Sequence, residues 1–125
     1  MSTADRKALW AAVERAWYST VNRLVVASGY TGQSQTTVSE EDLRAALATL
    51  AEKLNAILGE LSPRTVGQLE DLDPTPEYIN AVKIRLTLDE LEKYLNDNTP
   101  QFSYAQMISI LLRCSAPLRE TLKTV

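Results

Sequence analysis

The chain has 125 residues, of which 45% are hydrophobic and 23% charged, which is enough apolar material for a single folded domain over residues 1–125. It contains no histidine and one cysteine, Cys114, which excludes Ser-His and Cys-His nucleophiles, histidine- or cysteine-rich metal sites and an internal disulfide. No apolar run approaches the ~20 residues of a membrane span, and charges interrupt the N-terminal residues, so we expect a cytoplasmic protein.

The net charge of −3 is distributed unevenly along the chain. Residues 1–38 carry +2, residues 39–98 carry −7 and residues 99–125 carry +2. Such an asymmetry is typical of a surface for a charged partner, although small differences also arise by chance. The charge pattern alone leaves both explanations open.

The first predicted helix covers about residues 3–27 and carries a broad apolar face. Trp10 and Trp17 are seven residues apart, so both lie on the same side of a helix. Two tryptophans on an apolar face favour a place in the core over a ligand platform. The helix also carries three arginines off that face, whose separations rotate them by about 180° and 80° so that they form no single stripe: Arg6, Arg15 and Arg23.

The loop predicted over residues 28–37 contains one weak motif. Gly29-Tyr30-Thr31-Gly32 has the spacing of the GxxG loop with which KH domains hold a nucleic-acid backbone, but no strands flank it. We therefore predict a polar helix–helix connection, with an exposed tyrosine as the alternative base-stacking position.

The strongest helical signal begins at Ser39, a good N-cap followed by three acids that favour the positive end of the helix dipole. Its apolar residues recur at alternating separations of four and three, the spacing of a packed helix face. Gly59 is typical of the C-terminal end. Other helices must cover this face, which consists of Leu43, Leu47, Leu50, Leu54, Ile57 and Leu61.

Ser62-Pro63 indicates a short helix over residues 63–70. Three acids then crowd a turn but lack the glycine and the distal glutamate of a calcium-binding loop. They predict a solvated acidic turn rather than a cation site: Glu70, Asp71 and Asp73.

The third main helix is predicted from Thr75-Pro76-Glu77, a cap followed by proline and an acid, to about Asn96. Residues 82–88 alternate apolar with charged or polar side chains, which is typical of a strand. Because a lone strand would leave its backbone groups unpaired, we predict a helix. Two apolar rows fit helical spacing, one through Ile79, Val82 and Leu86 and one through Ile84, Leu88, Leu91 and Leu95.

The last helix is predicted to begin at the cap Ser103 and to bend near Pro117, which cannot donate to the carbonyl of Arg113. Cys114 lies near the apolar face and is expected to be a small buried side chain. The face itself skips Ser115 and is expected to consist of Tyr104, Ile108, Leu111, Leu118, Leu122 and Val125.

These elements predict an all-α protein with four main helices and one short helix in a compact up-and-down bundle. We find no catalytic constellation, metal cluster or cofactor motif in the sequence, so we expect a protein that is not an enzyme and has no cofactor. The acidic turn holds the only candidates for acid–base chemistry, and nothing positions those carboxylates as a pair.

Positive charge is concentrated in the first and last helices, which lie side by side in many bundles. They would then offer a phosphate backbone one face made of Arg6, Lys7, Arg15, Arg23, Arg113, Arg119 and Lys123.

In length, helix pattern and charge layout the whole chain resembles the helical small subunits of CRISPR effector complexes, although no motif carries the resemblance. It implies a non-catalytic subunit of a ribonucleoprotein complex in antiviral defence. Such a subunit contacts other protein subunits, copies of itself included, and a single-stranded nucleic acid or an RNA–DNA hybrid.

The alternative is a protein–protein adaptor or regulatory module without nucleic-acid contact, since a helical bundle does not by itself settle function. Salt separates the two hypotheses, because phosphate contacts weaken steeply as salt rises and apolar protein contacts survive it.

Overall fold

The computed structural model describes residues 3–28, 39–61, 75–98 and 102–125, and all regular structure within these ranges is helical. The all-α prediction is therefore confirmed. Two consecutive helices occupy the place of the single last helix that the sequence predicts. The helices are α1 (Thr3–Ser28), α2 (Glu40–Leu61), α3 (Pro76–Asn98), α4 (Tyr104–Leu112) and α5 (Ser115–Thr124).

Three helices begin at the capping hydroxyls that the sequence predicts. Each hydroxyl accepts a hydrogen bond from one of the backbone N–H groups that a helix leaves unpaired at its start. The caps thus fix where α2, α3 and α4 begin. The N–H of Asp42 donates to Ser39 Oγ (3.0 Å), that of Tyr78 to Thr75 Oγ1 (3.2 Å) and that of Gln106 to Ser103 Oγ (3.2 Å).

The helices pack as an up-and-down bundle around one core. α1 packs against α2 and against the α4–α5 pair, and α3 packs against α2 and against the same pair. Asn55, late in α2, accepts a hydrogen bond of 3.1 Å from Arg85 in the first half of α3, as antiparallel neighbours require. The first and last helices are therefore adjacent, which is the arrangement that a shared basic face needs.

The long apolar face of α2 lies in the core, as predicted. Leu50 and Trp10 are completely inaccessible to solvent, whereas Trp17 packs against the core from its edge. Leu61 at the end of α2 is only half-buried. The buried members of the face are Leu43, Leu47, Leu50, Leu54 and Ile57.

The helix prediction for residues 82–88 is confirmed, and only one of the two apolar rows of α3 faces the core. The outward row has its ends exposed, Ile79 by 39% and Leu86 by 61%, with a half-buried Val82 between them. α3 therefore carries an exposed apolar row on its outer side. The row in the core consists of Ile84, Leu88, Leu91 and Leu95.

The predicted last helix is broken close to the predicted position. The N–H groups of Arg113 and Cys114 bond only three residues back, to the carbonyls of Ile110 (3.2 Å) and Leu111 (3.0 Å). Pro117 has no N–H to donate to the carbonyl of Arg113, so the helix cannot continue unbroken there. The turn at Arg113 and Cys114 separates α4 from α5.

Three members of the face predicted for the last helix, Tyr104, Leu122 and Val125, are half-buried and pack against the edge of the core. Cys114 is buried, as predicted, and the contact with α1 and α3 also includes Met107, Ile110 and Thr121, which lie beside the predicted row. The side chains that are buried are Met107, Ile108, Ile110, Leu111, Cys114, Leu118 and Thr121.

Three sequence predictions concern residues outside the described ranges. These are the loop with its Gly29–Gly32 motif, the short helix over residues 63–70, and the acidic turn containing Glu70, Asp71 and Asp73.

Candidate nucleic-acid interface

Arg6 is the one candidate cation that is directed toward the interior. Its Nε lies 3.3 Å from Oε1 of Glu77, the second residue of α3, and makes no hydrogen bond. The indole N–H of Trp10 donates to the same carboxylate oxygen at 2.8 Å. Because 31% of the Arg6 side chain and 12% of the Glu77 side chain are exposed, this ion pair ties α1 to α3 and leaves Arg6 poorly placed to bind phosphate.

Arg113 lies in the turn between α4 and α5 and pairs with Glu90 of α3 at 2.8 Å. The pKa of Glu90 is lowered, chiefly because it accepts this hydrogen bond, and the pKa of Arg113 is raised for the same reason. Both side chains are exposed, and exposed pairs contribute little to stability. Arg113 therefore faces α3 rather than α1, within reach of solvent.

Arg23 also lies away from the seam between the first and last helices. It lines a groove of about 300 Å³ between α1 and α2, together with Asp42 and small side chains such as Ala16, Ala45 and Thr49. Arg23 and Arg113 therefore do not lie with the other cations on the single face that the sequence predicts.

Lys7 and Arg15 lie on the outer surface of α1. Trp17 marks the side of α1 that faces α4, since its indole N–H donates to the carbonyl of Leu111 at 2.8 Å. Lys7 lies about 80° further around the helix, away from α2, and Arg15 nearly opposite the buried Val13. Both are exposed and have no ion-pair or hydrogen-bond partner within the described ranges.

Arg119 and Lys123 lie on the outer surface of α5. Thr121 faces α3, where Asn80 donates a hydrogen bond of 3.0 Å to its hydroxyl. Arg119 and Lys123 are each two residues from Thr121, and so about 160° around the helix from it. Both therefore point away from α3, and neither has an ion-pair partner among the described residues.

The start of α1 and the end of α5 lie at the same end of the bundle. Trp10 of α1 donates a hydrogen bond to Glu77, and Thr121 of α5 accepts one from Asn80. Glu77 and Asn80 both lie in the first two turns of α3. Lys7 and Lys123 therefore lie at the same end of the bundle. Four of the seven predicted cations share this outer surface: Lys7, Arg15, Arg119 and Lys123.

The packing of the helices separates charge into two halves. α1 and the α4–α5 pair, over residues 3–28 and 104–124, together carry +4, and we call them the basic half. α2 and α3 together carry −5, and we call them the acidic half. The charge of each segment can be read from the sequence. The packing of α1 beside α4–α5 brings the two positively charged segments to one side of the bundle and leaves the negatively charged helices on the other.

Comparison of the chain with protein-family models, with curated proteins and with solved structures gave no match. Within the described ranges, no group of three or more acidic or cysteine side chains is arranged to hold a metal ion. Nor does any helix there combine the length and the apolarity that crossing a membrane requires.

Sequence reasoning missed three residues that shape this surface. Glu77 and Glu90 neutralise Arg6 and Arg113 from α3, and no local signal in the sequence indicates either pairing. Tyr18, 65% exposed on the basic half, was not singled out. It is a large aromatic side chain that directly follows Trp17 of the core face, and helical periodicity places it outside that face.

Proposed function

We propose that the protein is a non-catalytic helical subunit of a larger cytoplasmic assembly and contacts a nucleic-acid backbone through its basic half. The observation that carries this proposal is the shared outer surface of Lys7, Arg15, Arg119 and Lys123, on helices that pack against each other. Each cation that neutralises a phosphate releases a condensed counterion and so raises affinity. The acidic half would then face away from the strand.

The helical small subunits of CRISPR effector complexes, which the chain resembles in length and helix pattern, have such a role. We place the chain in that class as part of the proposal. Its partners would be other protein subunits, copies of itself among them, and a single strand or an RNA–DNA hybrid.

A protein adaptor without nucleic-acid contact is the second candidate, and the exposed row of α3 favours it. Ile79 and Leu86 are large apolar side chains on the acidic half, where charge disfavours a phosphate backbone. Exposed apolar side chains that lie in one row are typical of protein-binding surfaces. In the first proposal the same row would hold a neighbouring subunit.

Charge reversal on the two halves tests the proposal. A basic-half variant changes Lys7, Arg15 and Arg119 to glutamate, and a matched acidic-half variant changes Lys53, Lys83 and Lys93 to glutamate. Both variants alter the net charge equally, and all six side chains lack an ion-pair partner among the described residues. Cross-linking of nucleic acid to the chain in its native assembly should fall only in the basic-half variant, with both melting temperatures nearly unchanged.

Equal cross-linking in the two variants would overturn the nucleic-acid proposal and favour the adaptor hypothesis. In that case Leu86→Lys should release the protein partners without affecting the melting temperature, because Leu86 is exposed.

A further inference from the structure

We propose that Tyr18 stacks against an unpaired base, so that the ligand of the basic half is single-stranded nucleic acid. This inference rests on the proposed function and adds the class of ligand to it. Tyr18 is 65% exposed, the largest exposed fraction among the large apolar side chains of the described residues. It lies on the outer surface of α1, about one turn beyond Arg15, and it points in nearly the same direction as Lys7, which lies about three turns earlier in the helix.

The surroundings of Tyr18 leave its ring available. It makes no hydrogen bond and no ring contact with another described residue. The ring borders a shallow hollow of about 310 Å³ on the surface of α1, whose other lining residues are Glu14, Arg15, Trp17 and Ser19. Trp17 is held in place by its bond to the carbonyl of Leu111, so Tyr18 is the aromatic ring that a ligand can reach.

An apolar side chain from the next helix continues this surface. Leu112 is 50% exposed and directly follows the residue whose carbonyl binds Trp17. The Trp17–Leu111 hydrogen bond therefore brings Tyr18 and Leu112 to the same level of the seam between α1 and α4. A base stacked on Tyr18 would find an apolar neighbour there and the guanidinium of Arg15 about one turn away in α1.

The combination of a free aromatic ring with a neighbouring arginine on the basic half favours a single strand. Proteins that bind single strands hold the phosphates with basic groups while bases stack on aromatic rings, and each stacked base contributes about 1–3 kcal/mol. In a duplex the faces of the bases are covered by their neighbours, so Tyr18 would gain nothing.

The test is an NMR titration of the full chain, with single-stranded RNA of about 12 nucleotides and with the matching duplex, in ~0.1 M salt. Stacking predicts an upfield shift of the Tyr18 ring protons with the single strand and none with the duplex. Tyr18→Leu should lower the single-strand affinity about 5- to 150-fold, the equivalent of 1–3 kcal/mol. Tyr18→Phe should keep it, and Tyr78→Leu on the acidic half is the control for loss of a tyrosine.

Three results would overturn stacking. They are the absence of a Tyr18 ring shift in the wild type, equal affinity of Tyr18→Leu and the wild type, and an equal loss in Tyr18→Phe and Tyr18→Leu, which would indicate a contact through the hydroxyl. None of them tests the proposed function, which is tested by charge reversal in the native assembly. If stacking fails and the basic-half variant still loses cross-linking, the surface binds phosphates without reading bases.

Discussion

At the scale of single residues, the Glu77 carboxylate joins two helices that lie diagonally across the bundle. It receives the indole N–H of Trp10 and the positive charge of Arg6, both from α1, although Trp10 and Glu77 are 67 residues apart in the chain. Arg6 lies at an inward position of α1, where an unpaired guanidinium would be costly. The pair therefore explains how a basic residue is tolerated at that position.

A double-mutant cycle measures this pairing. Glu77→Gln removes the charge and keeps an oxygen for Trp10, and Arg6→Met removes the guanidinium and keeps the bulk of the side chain. We expect a coupling free energy of about 0.5–3 kcal/mol from urea unfolding, because Glu77 is largely buried. The exposed Arg44–Glu40 pair, at 2.8 Å, is the control and should give ~0.5 kcal/mol or less. Additive effects at Arg6 and Glu77 would contradict this account.

Cys114 gives the fold a dependence on alkaline pH. Burial raises the pKa of its thiol to about 11 from an ordinary value of 9.0, an effect that a hydrogen bond with Thr87 and the charge of Arg113 partly offset. The unfolded chain therefore releases this proton at lower pH than the folded protein does. Stability from the buried thiol is fully present below about pH 9 and is lost as the pH rises toward 11.

Cys114→Ala isolates that contribution, since every other ionisable side chain is common to both proteins. The free energy of unfolding should fall more steeply between pH 9 and 11 in the wild type than in the variant. The difference should be at most about 2–3 kcal/mol. Parallel pH profiles in urea unfolding would show that the thiol is not protected by burial.

At the scale of secondary-structure elements, substitutions in α3 distinguish a helix from a strand over residues 82–88. In a strand, Leu86 and Leu88 would lie on the same face, whereas in α3 Leu86 is 61% exposed and Leu88 is buried. Leu86→Lys should therefore change the free energy of unfolding by no more than ~0.5 kcal/mol. Leu88→Ala should cost ~2–5 kcal/mol through lost burial and a cavity. A comparable loss of unfolding free energy in both variants would contradict the orientation of Leu86 toward solvent and Leu88 toward the core.

The helices themselves follow from local sequence, and this is why they could be predicted. A capping hydroxyl such as Ser39 acts within its own first turn, and the leucine ladder of α2 has one apolar face to bury. α3 has two apolar rows, and the choice between them depends on where α2 and α4–α5 lie. The same dependence buries Met107, Ile110 and Thr121 beside the row predicted for the last helices.

The candidate site was predictable only in part, for a related reason. The sequence shows that the basic residues are near both ends of the chain, and adjacency of the terminal helices is then a matter of bundle topology. The pairing of Arg6 with Glu77 and of Arg113 with Glu90 depends on three-dimensional neighbours. Helical periodicity does give the outward direction of Arg15 and Tyr18, because the core positions of α1 are recognisable.

At the scale of the whole molecule, the separation of charge determines how salt acts on an anionic ligand. The acidic half lies behind the basic half by at least one helix layer, since packed helix axes are ~8–10 Å apart. Electrostatic interactions are screened beyond ~10 Å at 0.1 M salt and beyond ~30 Å at 0.01 M. A phosphate at Lys7 or Arg119 is therefore shielded from the acidic half at moderate salt and repelled by it at low salt.

The isolated chain should accordingly bind a single strand weakly, and its affinity should not follow the simple salt law. For a uniformly basic surface, log K rises linearly as log salt falls, by ~0.7 per phosphate contact on a single strand. Here the rise should flatten below ~0.1 M, as repulsion from α2 and α3 comes into range. In the native assembly, where other subunits hold the strand, three lost contacts in the basic-half variant should make the slope shallower by ~2.

Neutralising the acidic half identifies the cause of the flattening. Glu41, Glu52 and Glu92 are exposed and have no ion-pair partner within the described ranges, so their replacement by glutamine should leave the fold intact. This variant should recover a straight log–log plot down to ~0.01 M salt and bind more tightly there, while its affinity at ~0.15 M stays close to that of the wild type. A straight plot for the wild-type chain, or an equal gain at all salt concentrations, would mean that the two halves do not act separately on the ligand.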